Sequence, residues 1–520
     1  MRMHHRSSAK HLTSALLAAG LSVAAASPVE AALRVSADGT GQVLLYPYYT
    51  VDAGNSTLIS VANTTAHAKA LAVRVREGRN GRPVLNFHVY LAPHDAWSGV
   101  IDAAGATGPA RIATSDTSCT VPLFSPGTPE PFRSSEYTGA FVDHPASAAA
   151  DLGSIERTRS GYIEIIEMGE LSAGTLPAQF ADEVTATVAA SPSDCATVAA
   201  AWQLPKGVWA TDPAREVGLP TGGLRGSAAI VDVSEGTMYT YSPTAIAGFY
   251  TDAAYPGGLH ASPASDRPQL SDARTSTGVV EVAIPDGNGL TKVERFELNT
   301  FAPIFSDPVS LALMKTQLRG DYVVDPALGA SSEWVVTFPT KHDHVGSTLP
   351  RAPFTRVFQP EGRAPERLLA TGFDRSGRWF GDRMGACASV SGCDQVQLPN
   401  SVNVLAITNQ PIAGITPLLG AQIGRTAQNL VIPSQYANGL SSIASGSYGQ
   451  LTLAFGDRSA ASPLDPSGSA NRMHVGGARY FGLPAIAVSL SRHVNRAVTP
   501  GNVANYGGDD ELSSTLYIAR

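Results

Sequence analysis

The sequence predicts a mainly β protein: two antiparallel β-sandwich-like domains with a few short helices and long loops. Three observations carry that expectation. Apolar and polar residues alternate through residues 41–101 with little interruption. Charged residues make up only 16% of the 520 positions, against a usual fraction near 25%. The chain also carries 50 Gly and 36 Pro, a turn-rich composition that argues against a helical bundle or coiled coil.

The alternation is clearest in two neighbouring segments. In Lys69–Gly78, Leu71, Val73 and Val75 alternate with Ala72, Arg74 and Arg76; in Val84–Leu91, Leu85, Phe87, Val89 and Leu91 alternate with Asn86, His88 and Tyr90. A period of two sends one set into a core and the other toward water, as in a half-buried antiparallel sheet. Asn80-Gly81 between them suits the positive φ of a hairpin turn.

Ahead of this sheet, Arg2, Arg6 and Lys10 precede an apolar run, Leu12–Ala26, and Val29-Glu30-Ala31 places small residues at a cleavage site. That is the pattern of a Sec-type signal peptide over residues 1–31. The run is shorter than the ~20 apolar residues of a membrane span, so the mature chain is expected to lack a transmembrane segment. The expected location is the periplasm, the cell surface or the medium. Whole-chain net charge is −7, and residues 1–31 hold three basic and one acidic residue, leaving −9 for the remainder. An acidic chain without basic runs argues against a nucleic-acid partner.

Four cysteines follow the leader. An even count in an exported chain reads as disulfides: Cys387 with Cys393 across a short loop, and Cys119 with Cys195. Residues 103–160 read as a long loop inserted in a domain spanning 32–255. Gly161–Gly169 reads as a strand in which Glu164 and Glu167 face opposite sides. Ser191-Pro-Ser-Asp194 opens a helix to Trp202 that carries Cys195. Strands are expected at 227–233 and 237–241, and the Pro/Gly/Ser-rich residues 256–277 read as a linker. In a second β-rich domain, 278–520, a helix is expected from Asp307 to Gly320, with Lys315 and Arg319 in its last turns. Strands follow at 334–338, 402–409, 450–455, 483–490 and 512–518.

Several residues are candidates for chemistry. His342 and His344, one residue apart past a strand, would point the same way on extended backbone and could share a metal ion. His94-Asp95 stands at a strand end, but no Gly-x-Ser-x-Gly elbow supplies a nucleophile; Asp95 is expected to cap the turn with Trp97 packed beneath. Glu164 and Glu167 cannot flank one sugar from opposite faces. Asp509-Asp510-Glu511 lacks calcium-loop spacing. Tyr46, Tyr48 and Tyr49 around Pro47 are candidates for a binding surface. No motif calls for a cofactor.

The segments Tyr46-Pro-Tyr-Tyr-Thr50, Val73-Arg-Val-Arg-Glu-Gly-Arg-Asn80, Tyr90-Leu-Ala-Pro-His-Asp-Ala-Trp97 and Glu333-Trp-Val-Val-Thr-Phe-Pro-Thr-Lys341 resemble an uncharacterised family of secreted or cell-surface proteobacterial proteins. The resemblance implies export and a bacterial envelope setting and brings no catalytic residues with it. The expected function is therefore that of an exported, non-catalytic surface or extracellular protein, structural, adhesive or assembly-related. Its expected partners are other envelope proteins or an extracellular polymer. The alternative is a secreted hydrolase of polysaccharide or peptide built from dispersed carboxylates and histidines.

Overall fold

The computed structural model describes residues 32–125, 127–141, 143, 153–171, 192–250, 259–273, 278–285, 290–298, 305–325, 329–346, 349–375, 377, 379–380, 395–409, 411–432, 448–455, 471–494, 505–510 and 512–519. They form a mainly β protein of several antiparallel sheets with four short helices.

The first half supplies thirteen strands: β1 Arg34–Val35, β2 Val43–Thr50, β3 Asn55–Asn63, β4 Lys69–Glu77, β5 Pro83–Leu91, β6 Ala96–Ala103, β7 Ala110–Ala113, β8 Cys119–Val121, β9 Glu130–Pro131, β10 Ser160–Glu170, β11 Leu224–Asp232, β12 Thr237–Tyr241 and β13 Thr244–Ala247. One sheet runs β1-β13-β2-β10-β4-β5-β8, the other β12-β11-β3-β6-β7-β9. Their inner faces meet in one hydrophobic cluster, where Val73, Phe87 and Ile163 pack with Val61, Trp97 and Ile230. The β4–β5 hairpin turns at Gly81, at φ 68°. Its organiser is the Glu77 carboxylate, which accepts the backbone N–H groups of Arg79 at 2.7 Å, Asn80 at 2.9 Å and Arg82 at 3.1 Å.

Three expectations are corrected here. The second face of β4 and β5 does not meet water: Arg74, Arg76, His88 and Tyr90 are buried. The alternation reported two chemically different faces, and both are covered. Residues 256–277 are not a plain linker, because 259–273 form part of that cover, with Leu259, Leu270 and Ala273 in its apolar cluster. Residues 103–160 are not one loop either; they contribute β7, β8 and β9. Strands of two to four residues are too short to show a period.

Helix α1, Pro192–Ala200, matches its expected place, and Cys195 on it is bonded to Cys119 on β8. Cys387 and Cys393 lie outside the described residues, as do residues 1–31. Helix α2 is Val208–Thr211. Helix α3, Asp307–Ala312, is far shorter than expected. Beyond it Gln317–Val323 is a strand paired with Tyr448–Ala454, so Lys315 and Arg319 complete no helix. Leu318 and Tyr322 face the core while Arg319 and Asp321 are exposed, a period of two that overrides the cap signals. Helix α4 is Lys341–Val345.

In the second half, Ala330–Thr337 lies between Val402–Thr408 and Ile486–His493, and Ala427–Val431 adds a parallel edge strand. Among the described residues no sheet mixes strands of the two halves, which meet in backbone contact at a Leu33–Val282 bridge and where the Ser401 and Val402 N–H groups reach the Arg79 and Gly78 carbonyls. The side chains do mix. Val335, Val404 and Leu490 belong to the cluster between the two first-half sheets, and Val282, Met314 and Tyr480 to the one beneath the cover. Backbone pairing thus divides near residue 256, whereas the packed cores do not.

The Cys119–Cys195 bridge spans 76 residues. Cross-linking a loop of that size removes unfolded-state entropy worth up to roughly 4 kcal/mol. The double variant C119S/C195S should lose a stability of that order in urea titration, and reduced wild type should match it; an unchanged midpoint would show that the bridge contributes nothing.

Candidate functional site

Strands β4, β5 and β10 align a polar layer on the covered face of the first sheet. The Arg76 Nε lies 2.9 Å from Glu164 Oε2, and its Nη2 is 3.5 Å from Asp266 Oδ1 on the cover. Arg74 Nη2 donates to the Arg267 carbonyl. On the opposite face, at the end of the strands, Lys69 Nζ meets Glu167 at 2.6 Å, and Glu167 also accepts the N–H groups of Thr221 at 3.0 Å and Gly222 at 2.7 Å. Glu164 and Glu167 therefore face opposite ways, as expected, and each is buried with its own cation. Burial raises both carboxyls while Arg76 and Lys69 respectively pull them down. The first pair is tied to the cover through Asp266 and the second to residues 221 and 222, and neither glutamate is available to a substrate.

Beside this layer sits an aromatic nest. Trp202 Nε1 donates to the Tyr90 hydroxyl at 2.9 Å, and Tyr90 Oη lies 3.1 Å from His260 Nε2. Trp209 stacks on Tyr90 at 5.5 Å, and Trp202 leans on His260 at 4.8 Å between centroids. His88 is fully buried, and neither ring nitrogen has a hydrogen-bond partner among the described residues. Burial, with Arg74 nearby, holds its imidazole well below the usual range; burial likewise brings His260 down to about 4.

Trp202 also borders an open cleft of about 610 Å³. Its walls are the start of β5 (residues 83–86), the exit of β8 (121–124), the segment around Glu130–Glu136, the end of α1 and residues 262–264. A second, charged hollow of about 360 Å³ lies between the halves. There Asp52 pairs with Arg159 at 2.7 Å, Glu77 with Arg157 at 2.8 Å and Glu156 with Arg425 at 3.9 Å. With Arg79 also in its lining, four arginines face three carboxylates.

The outer face of the second sheet is open. One row crosses five strands as Thr240, Ala229, Leu58, Val100 and Ala113, and the next rows add Met238, Val231 and Ser56, then Ser227, Ser60 and Ser98. Leu58, Val100 and Met238 are 41%, 40% and 55% exposed. Among the described residues charge enters at the margins, as Arg225, as the Asp102–Arg111 pair at 2.6 Å and as Asp509 beside Thr240.

The remaining candidates are placed as follows. Tyr46, Tyr48 and Tyr49 form no binding surface: each is at most 1% exposed. Strand β2 is central, between β13 and β10, and Pro47 sits where the β2–β10 register shifts, a bulge that tolerates proline inside a sheet. Tyr46 donates to Ser60 O at 2.6 Å and Tyr49 to Thr158 O at 3.0 Å. His342 and His344 sit on α4 rather than on a strand, and helix positions two apart do not share a face. His344 instead lies 3.0 Å from Ser310 Oγ on α3, with Asp307 3.9 Å from the same ring nitrogen. A nucleophilic triad needs its carboxylate on the other nitrogen and an accessible hydroxyl, whereas Ser310 is fully buried. The set is a latch between α3 and α4. Among the described residues no three His, Cys, Asp or Glu side chains gather as a metal site. Asp95 accepts the N–H of Ala96 at 2.8 Å, above a buried Trp97, so it caps the turn as expected. Asp509 accepts from Thr240 Oγ1 at 2.9 Å; Glu511 lies outside the described residues.

Sequence reasoning missed three buried ionisable groups. Asp307 is pushed up to about 7 by burial, with Arg351 opposing. Glu333 is pushed up to about 7 by burial, against the N–H of Leu418 and the hydroxyl of Thr416. Lys341 is brought down to about 7 by burial and donates to the carbonyls of Leu398 and Asn400, both at 3.1 Å. Glu333 stands in the alternation of its strand like any outward residue, so only the loop that folds over it reveals its burial. Comparison with known protein families, curated proteins and solved structures finds no match for the chain.

The folded-state value of Glu333 lies above its ordinary 4.5, so the stability it contributes is complete below that pH and is lost as pH rises through about 7. Thermal melts of E333Q should fall less between pH 5 and 8 than those of wild type. Parallel curves would show that Glu333 does not titrate in that window.

Proposed function

We propose that this chain is an exported, non-catalytic protein of the cell surface or extracellular space, structural or adhesive in role, with other envelope proteins or an extracellular polymer as partners. One observation carries the reading. Asp307, Glu333, Lys341, His88 and His260, whose charged forms burial disfavours, line neither hollow. The displaced groups that do line one, Asp52, Glu77 and Arg157, are held in ion pairs, while a largely uncharged sheet face stands open. Displaced groups within reach of a substrate commonly mark catalytic sites; attachment needs a complementary surface, which a large apolar-to-neutral face supplies.

The leader-like residues 1–31 and the Cys119–Cys195 bridge support export, since disulfides persist in oxidising compartments. Among the described residues no helix is long and apolar enough to cross a membrane. The hydrolase alternative finds no accessible pair of carboxylates in these hollows that is not already held by arginine, apart from Glu136 alone.

Fractionation of producing cells should place the chain outside the cytoplasm, and deletion of residues 2–31 should retain it within. L58E/V100E, which puts charge on the open face without entering the core, should lower cell-surface retention at least several-fold with unchanged melting behaviour. Cytoplasmic wild type, or turnover of polysaccharide or peptide by the purified protein, would overturn the reading.

A further inference from the structure

We infer that the cleft beside Trp202 is a binding site for a neutral saccharide, with the Trp202 ring as its stacking platform. The inference rests on the binding role proposed above and names a ligand class for a site separate from the open sheet face.

Trp202 is already satisfied and held in place. Its indole N–H is turned inward onto Tyr90 Oη at 2.9 Å, so the donor is satisfied and the cleft meets apolar ring. The ring is held by His88 at 5.7 Å, Trp209 at 5.6 Å and His260 at 4.8 Å. An aromatic fixed on several sides loses little freedom when a ligand stacks on it. The rim is polar. Arg133, Ser135, Glu136 and Gln203 line the cleft and are exposed. A pyranose presents an apolar C–H face to a ring and hydroxyls around its edge, which is what a ring floor with a polar rim complements. About 610 Å³ also falls within the roughly 300–1,000 Å³ of small-ligand sites.

Charge and backbone narrow the class. Glu130 is neutralised by Arg133 at 2.7 Å, which leaves Glu136 as surplus negative charge and disfavours acidic sugars. An extended peptide adding to the sheet would need a run of open edge. Strand β8 already pairs with His88–Tyr90, and the Arg133 N–H takes the Val84 carbonyl at 2.9 Å. Only one outward-pointing residue of β5, Asn86, lies between them, too short a notch for a strand.

Calorimetric titration of the purified chain with cellotetraose, maltotetraose and tetra-N-acetylchitotetraose tests the site, with tetragalacturonate and a proline-rich decapeptide as contrasts. At least one neutral tetrasaccharide should bind, at least tenfold more weakly to W202A and three- to tenfold more weakly to S135A/Q203A. The second variant alters exposed side chains only, so it decides the matter should W202A fail to fold. No binding of the three neutral sugars, equal binding by wild type and S135A/Q203A, or preference for the decapeptide or tetragalacturonate would each overturn the inference. Cleavage of a bound sugar would overturn the non-catalytic reading and leave the site standing; absence of both binding and cleavage would remove the site alone.

Discussion

The structure depends on one constraint: its first sheet is buried on both faces although one of them is polar. Strand β10, between β2 and β4, carries Ile163 and Ile165 on the inner face and Glu164 on the other. A buried, unpaired carboxylate or guanidinium would cost several kcal/mol, so every charge on that face has to be met by something folded over it. The cover is built to do so. Asp266 reaches Arg76, and the Arg267 carbonyl takes Arg74. Segments that look in sequence like a spacer and a loop are thereby made part of the core.

That constraint also explains what the sequence shows and what it hides. A period of two is a backbone property, so β4, β5, β11 and β12 are legible with near-correct ends, as is α1 from its Ser-Pro-Ser-Asp opening. Periodicity cannot tell water from a second buried layer: Arg74 and His88 alternate with valines and phenylalanine in the same way whichever lies above them. Three tyrosines around a proline look like an edge until β2 proves central. At α3 the basic residues Lys315 and Arg319 mimic the end of a helix, yet Leu318 and Tyr322 satisfy a strand, and pairing with Tyr448–Ala454 outweighs a propensity worth tenths of a kcal/mol per residue. The two histidines of α4 fail for the opposite reason, because a short helix follows where extended chain was expected. The halves fail as separate domains in their cores alone, since strand pairing respects the division and side-chain packing does not.

Displaced ionisation in this molecule is a consequence of packing. Glu333 is clamped by a loop, Asp307 and His344 belong to a latch between two short helices, and Lys341 donates to two carbonyls, a number a neutral amine can satisfy with its two N–H bonds. Each group holds neighbouring segments together, and none opens onto a hollow. Perturbed protonation marks active sites only where a substrate can reach it. Here burial alone, the first cause in each case, is sufficient.

The disulfide joins this packing to the proposed recognition. Cys119 begins β8 and Cys195 lies on α1, and the chain leaving β8 at Val121–Phe124 forms one wall of the cleft while the residues just past α1, Trp202 and Gln203, form another. The bridge thus fixes the relative position of two walls that share no strand pairing. Beyond α1 the chain is tied down again, by the N–H of Trp209 to the Ala201 carbonyl at 2.9 Å and by the ring contacts with Tyr90 and His260. A cross-link placed for stability alone could join any two distant segments. This one sets the spacing between the Trp202 ring and the Val121–Phe124 wall, so the covalent bond, the buried aromatic nest and the open cleft form one mechanical unit.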